Sequence, residues 1–173
     1  NSKGLIPGIE NTIDFLKENN IDFYVLTNDA SRSPEALADS LSFRKIKSIT
    51  AQKIISSGML AKEYLIQKVR KGRIAYLGTP QSAHYIESAG LKTVSISELK
   101  LDSINDISAI CFLDDEGFDW NHDINKVINL LRKRNIPAIV ANTDTAYPTS
   151  KDEVAIAIGG IADMVERVVG KQF

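Results

Sequence analysis

The chain has 173 residues, 43% of them hydrophobic and 25% charged, with a net charge of -1. This is ordinary globular composition, at a length that suits one domain or one small domain plus part of another. Residues 1–57 carry seven basic and seven acidic side chains and the remainder fourteen and fifteen, so neither part offers the basic face that nucleic acid or an anionic membrane requires.

In chain order, the apolar spacing first predicts a helix over 8–18, with Ile9, Ile13, Phe15 and Leu16 on its stripe, Pro7 near its start and Asn19-Asn20 as its stop. A nearly continuous apolar run over 21–27 reads as a strand in a sheet covered on both faces. Ser33-Pro34 opens a second helix through about Leu41. The segment IKSITAQKIISS reads as a short strand and a return, and a long amphipathic helix is expected over 57–71. After Gly72 the alternation restarts: strand 73–78, helix 80–89, strands 92–96 and 108–113, helix 121–134, strand 136–141 and a last helix over 158–169 that stops at Gly170. The segment EVAIA before it is compatible with an extended strand or a first helical turn. Strands alternating with helices predict a mainly parallel α/β sheet. The break near 56–58 divides the chain into two units, the first with too few strands to close its own core.

Cys111 lies within Ala109-Ile110-Cys111-Phe112-Leu113 and is expected to be a buried thiol. His84 and His122 have no neighbours at zinc-like spacing. No apolar stretch approaches the roughly 20 residues of a membrane span, and no signal-peptide pattern is visible. A cytoplasmic enzyme or binding protein is the expectation. The basic clusters Lys68/Arg70/Lys71/Arg73 and Arg132-Lys133-Arg134 fall where helices should end, where they complement the negative pole.

In an open parallel sheet, ligands bind beyond the carboxyl ends of the strands. There the run Phe23-Tyr24-Val25-Leu26 stops at Thr27-Asn28-Asp29, and Ala-Ser-Arg-Ser follows. A hydroxyl and backbone N–H groups beside a helix start form a phosphate cradle, to which Arg32 can add a charge-assisted contact. The same residues also fit a plain turn followed by a capping serine. VANTDTAYPTS (140–150) repeats the pattern, with Asn142-Thr143-Asp144 after an apolar strand and Tyr147-Pro148 on an expected loop. FLDDEGFDW (112–120) holds carboxylates at 114, 115, 116 and 119. They suit hard-cation binding, or the positive end of the helix that follows, and the second reading is preferred.

The stretch PGIENTIDFLKENNIDFYVLTNDASRS resembles the second-motif region of haloacid-dehalogenase (HAD) superfamily phosphatases, more closely the NagD-like or p-nitrophenyl-phosphatase branch. The resemblance continues through SSGMLAKEYL, FDWNHDINKVINLLRKRNIPAIVANTD and GGIADMVERVVGK, and so covers nearly the whole chain. It implies a Rossmann-like catalytic core interrupted by an α/β cap: a partial core over 1–56, the cap over 57–165 and a return towards the core over 166–173. It also implies magnesium-dependent hydrolysis of a small phosphorylated metabolite through an aspartyl-phosphate. Thr27 matches the hydroxyl that binds the transferring phosphoryl group, with Asn28 beside it as a second catalytic candidate and Arg32 facing the site. Asp144 and Tyr147 match the cap loop that covers the leaving group. Many relatives carry Asn where this chain has Asp29, whose charge would then stand near the phosphate and restrict the substrate.

The family's Asp-x-Asp motif should precede Asn1, and its Gly-Lys-Pro lysine and magnesium-binding acids should follow Gly170-Lys171. The Mg2+ ligands are therefore expected outside this chain, none within it, and the 173 residues alone are expected to be inactive. A homodimer through the cap is a further expectation. The rival reading is a non-catalytic, flavodoxin-like module that binds an anionic metabolite or mediates dimerisation.

Overall fold

Helix α1 (Ile9–Glu18) begins after Gly8 and turns Ile13 inward. The computed structural model of the chain describes residues 5–69 and 71–173; Arg70, one of the basic residues expected at a helix end, lies outside them. Strand β1 (Val25–Thr27) is much shorter than the predicted 21–27. Its parallel partner β2 (Ile54–Ser56) offers only three residues, pairing Val25 with Ile54, Leu26 with Ile55 and Thr27 with Ser56. Alternation along a strand sends neighbours to opposite faces. Ile54 is buried with Ile13, Ile46 and Ile49, and Val25 packs against them, whereas Leu26 is 75% exposed and Ile55 39%. The expected cover on both faces is thus present on one face only. Helix α2 (Pro34–Phe43) starts as predicted, with the Ser33 hydroxyl accepting from the Ala36 N–H.

A 3-10 turn (Ala51–Lys53) leads into β2, and α3 (Ser57–Lys68) follows without a break. Gly58, Ala61 and Leu65 form the buried face of α3. Leu60, Tyr64 and Ile66 are exposed on the rest of it, so the expected amphipathic helix carries apolar side chains outside its buried stripe too.

The larger sheet is built from β3 (Arg73–Leu77), β4 (Lys92–Ser95), β5 (Ile107–Phe112) and β6 (Ala138–Val140). All are parallel, in the order β4-β3-β5-β6. Period-two alternation divides its residues between two cores. Ala75, Leu77, Ile110 and Phe112 pack with Val127 and Leu130 of α5 (His122–Lys133) and with Ile161 and Val165 of α6 (Ile158–Val169). Ile74, Tyr76, Ala109 and Cys111 pack on the other side with Leu65 of α3 and Ile86 of the short α4 (His84–Glu87). Burial pushes the Cys111 thiol well above its ordinary pKa, which makes it an inert core residue.

Two further expectations need correction. The segment 80–89 forms only the single turn of α4, preceded by turns. The Tyr147-Pro148 segment expected as loop is β7 (Ala146–Pro148), antiparallel to β8 (Val154–Ile156), which also decides that EVAIA is extended. Gly170 closes α6 with φ 67°, a left-handed conformation in which a Cβ would be strained. Among the described residues, no helix is long and apolar enough to cross a membrane.

The basic clusters do more than complement helix ends. Arg73 pairs with Asp106, and Arg134 donates to the carbonyls of Asn105 and Ile107. Both fasten the turn that leads into β5.

Candidate functional site

The carboxyl end of β1 delivers Thr27, and the backbone then turns sharply through residues 28–33. Thr27 Oγ1 accepts from the Asp29 N–H at 3.1 Å, and among the described residues no acceptor takes the hydroxyl's own proton. Asp29 Oδ1 accepts from the N–H groups of Ser31 (2.9 Å) and Arg32 (3.1 Å). Its Oδ2 accepts from Arg32 Nε at 2.9 Å and Nη2 at 2.5 Å. The charge of Asp29, expected to stand against a phosphate, is therefore paired within the loop. A side chain bonding its own backbone in this way fixes an Asx-type turn, and Arg32 completes it with a bidentate contact.

Thr27, Asn28, Asp29 and Arg32 line one cavity of about 470 Å³. Its other wall is formed by Leu113, Asp114, Asp115, Glu116, Asn142, Tyr147 and Ile158. Residues that stand more than a hundred positions apart in sequence thus meet across one space. Asn28 Nδ2 donates to Asp144 Oδ2 at 3.0 Å, which ties the two walls together. Tyr147 donates its phenolic proton to Asp115 Oδ2 at 3.0 Å. That bond, together with partial burial and the charges of Asp115, Glu116 and Asp114, holds the Tyr147 phenol above its ordinary pKa, so it remains a donor.

All six residues singled out from the sequence (Thr27, Asn28, Asp29, Arg32, Asp144, Tyr147) are at this cavity or bonded to a residue that lines it. The acidic run divides. Asp119 accepts from the His122 N–H, and the buried Asp123 accepts from the Asp119 N–H and from Ser97 Oγ, so these two serve the start of α5. Asp114, held by Thr79 Oγ1 at 3.2 Å, and Asp115 and Glu116 face the cavity instead. The preferred helix-end role covers only the later acids.

Other contributors were not legible in the sequence. Gly159 sits in the first turn of α6, where an added Cβ would come within 2.5 Å of the Asp144 carbonyl oxygen and the Thr143 carbonyl carbon. Its missing side chain is what allows the Asp144 loop to lie on the helix. Ser57 Oγ donates to the Asn28 carbonyl at 3.0 Å, and Tyr85 Oη donates to the Arg32 carbonyl at 2.6 Å. The only sequence sign was two serines at a strand end, Ser56-Ser57.

Among the described residues, no group of three or more His, Cys, Asp or Glu side chains could hold a metal ion. Asp114 and Asp115 are instead engaged by Thr79 and Tyr147. The described residues do not by themselves fit a magnesium site.

A family model of haloacid dehalogenase-like hydrolases matches residues 1–92, more than half of the 173, and the chain belongs to that family. Among solved structures it is similar to a possible sugar phosphatase of the HAD superfamily from Cytophaga hutchinsonii, with 58% identity and a TM-score of 0.92 over 98% of this chain and 60% of that one. It shares its fold with a 4-nitrophenylphosphatase from Thermotoga maritima (23% identity, TM-score 0.79, 97% of this chain and 59% of that one). The same holds for a p-nitrophenyl phosphatase from Archaeoglobus fulgidus (17% identity, TM-score 0.77, 96% and 59%). The chain thus spans about 60% of the length of the solved relative most like it among these three. No curated protein matches it.

Proposed function

We propose that the chain is the middle portion of a magnesium-dependent phosphomonoester hydrolase that acts through an aspartyl-phosphate. Residues 1–56 contribute to its catalytic core, 57–165 form the cap and 166–173 return towards the core. The observation that carries this reading is the single cavity shared by the Thr27–Arg32 loop and the Asp144–Tyr147 segment. Separate sheets and separate apolar clusters on the two sides of Ser56-Ser57 support the division.

Thr27 donates its hydroxyl proton to an oxygen of the phosphoryl group undergoing transfer, while its own oxygen remains held by the Asp29 N–H. Such an oriented donor acts where negative charge changes in the transition state, without having to reorganise. Asn28 supports the same loop and marks where the cap meets it. Arg32, paired with Asp29, offsets that carboxylate beside an anionic substrate. Asp144 and Tyr147 cover the leaving group, exclude water and add contacts remote from phosphorus. The ring and hydroxyl of Tyr147 suit a small ring or sugar-like leaving group, and Asp144 favours one that donates hydrogen bonds. Magnesium, when bound, offsets phosphate charge; its ligands and the nucleophilic aspartate come from outside residues 1–173. The enzyme is cytoplasmic, with a homodimer through the cap.

The test is phosphate release from p-nitrophenyl phosphate and a panel of phosphomonoesters by the full-length protein, with magnesium and with chelator. Turnover should require magnesium, and the 173-residue chain, which contains no Asp-x-Asp pair, should show none. Turnover by the 173-residue chain, or none by the full-length protein on any ester, contradicts the reading.

A further inference from the structure

Tyr85 lies on α4, far from the candidate cavity in sequence, yet it is 2% exposed and its hydroxyl is spent on the other unit. Its Oη is 2.6 Å from the Arg32 carbonyl oxygen and 2.7 Å from Ser56 Oγ. A phenol has one proton. Donation to the Arg32 carbonyl leaves the Ser56 hydroxyl as the donor to Tyr85. The bonds therefore run in one direction, from Ser56 through Tyr85 to the backbone of the loop. Ser56 is 1% exposed, so this run of bonds is shielded from bulk solvent. The next residue, Ser57, donates to the Asn28 carbonyl. The two serines at which the polypeptide passes from one unit to the other thus hold the loop near both of its ends, at Asn28 directly and at Arg32 through Tyr85.

The Tyr85 ring is itself fixed. It lies against Gly58 so closely that an added Cβ there would come within 2.3 Å of Tyr85 Cε2. Burial raises the phenol's pKa above the ordinary value, with Asp29 and Glu35 adding to the rise and the Ser56 bond opposing it. The hydroxyl stays protonated throughout the physiological range.

We infer that Tyr85 is a positioning residue: its hydroxyl sets the conformation of the Thr27–Arg32 loop and couples that loop to the cap. The inference rests on the phosphatase reading only for its effect on catalysis. Within the loop, Asp29 braces the turn from inside, and Tyr85 is the brace from the cap side. Loosening it lets Thr27 leave the geometry that matters in the transition state, while ground-state binding, spread over the whole cavity, changes less.

The experiment compares Tyr85→Phe with wild type in the full-length protein. This substitution removes the hydroxyl and keeps the ring over Gly58. Amide hydrogen exchange at Ser31 and Arg32 should quicken about three- to tenfold, the range for one lost hydrogen bond, with the amides of β5 unchanged. With p-nitrophenyl phosphate, kcat should fall about three- to thirtyfold with KM within about twofold. Should Tyr85→Phe unfold, Ser56→Ala gives the same direction at smaller amplitude. Unchanged exchange at Ser31 and Arg32, or a uniform rise that includes β5, overturns the inference, as does an unchanged kcat in an active enzyme. If wild type hydrolyses no ester, the phosphatase reading fails, and the exchange measurement alone decides the role of Tyr85.

Discussion

The Thr27 hydroxyl accepts from the Asp29 N–H, and in the proposed reading it donates to the phosphoryl group. Thr27→Val removes the hydroxyl at nearly constant volume, so the donor and the acceptor of the Asp29 N–H are lost while packing is kept. In the full-length protein kcat/KM should fall by roughly ten- to a thousandfold. An unchanged value in a folded variant returns Thr27 to the role of a turn residue that accepts from Asp29. A variant at Tyr147 tests substrate choice apart from chemistry. Tyr147→Ala should reorder kcat/KM across a panel of phosphomonoesters, with a comparatively small effect on p-nitrophenyl phosphate, which makes few such contacts. A uniform loss across the panel means that Tyr147 supports the fold through Asp115 instead. Thr27 and Asn28 stood out in the sequence because a hydrophobic run ends abruptly in polar groups, a pattern that fits a phosphate cradle or a plain turn. The sequence could not show the Asp29–Arg32 pairing, since an acid and a base three residues apart on a turn are equally free to face solvent. Nor could it show Tyr85, whose partner lies 53 residues away.

Helix α6 and the loop it supports depend on a small residue where a large one would improve helix propensity. Gly→Ala within a helix ordinarily gains about 1 kcal/mol. At Gly159 the added atom meets backbone, which cannot rotate aside as a side chain can, and overpacking costs about 1–3 kcal/mol. Gly159→Ala should therefore lower Tm on balance; a Tm equal to or above that of wild type would show that the Asp144 loop yields freely. Helix α5 is held at its start by the buried Asp123, which takes bonds from Ser97, the Asp119 N–H, His122 and Lys126. Burial alone would raise its pKa, but those bonds outweigh it and hold the carboxyl below its ordinary value. The stabilisation is fully present above the unfolded pKa of about 4 and is lost as pH falls through the lower folded pKa. Asp123→Asn should lower Tm at pH 7 and flatten its fall below about pH 4; parallel Tm profiles for the two proteins would contradict this. Strong periodicity made α1, α5 and α6 legible to within a residue or two. The β7–β8 hairpin was not, because a three-residue strand containing proline carries too little alternation to separate it from loop.

Across the whole molecule, the four-stranded sheet closes its own core on both faces, while the β1–β2 pair leaves Leu26 and Ile55 open. The sequence showed that the first unit had too few strands, yet it read the β1 run as covered on both sides because apolar content alone does not say what supplies the cover. In the full-length protein this face should be packed, so Leu26→Ala should cost about 2–5 kcal/mol there and far less in the 173-residue chain. Equal costs by urea denaturation would show that the face stays open. The central claim is that the loop after β1 holds the phosphoryl group under the Asp144–Tyr147 segment. Backbone 15N–1H shifts of the full-length protein, followed while inorganic phosphate is added in the presence of magnesium, test it most directly. The account predicts the largest shift changes at Asn28–Arg32, with smaller ones at Asp144 and Tyr147. Changes confined to other parts of the molecule, with Asn28–Arg32 unmoved at saturating phosphate, would contradict it.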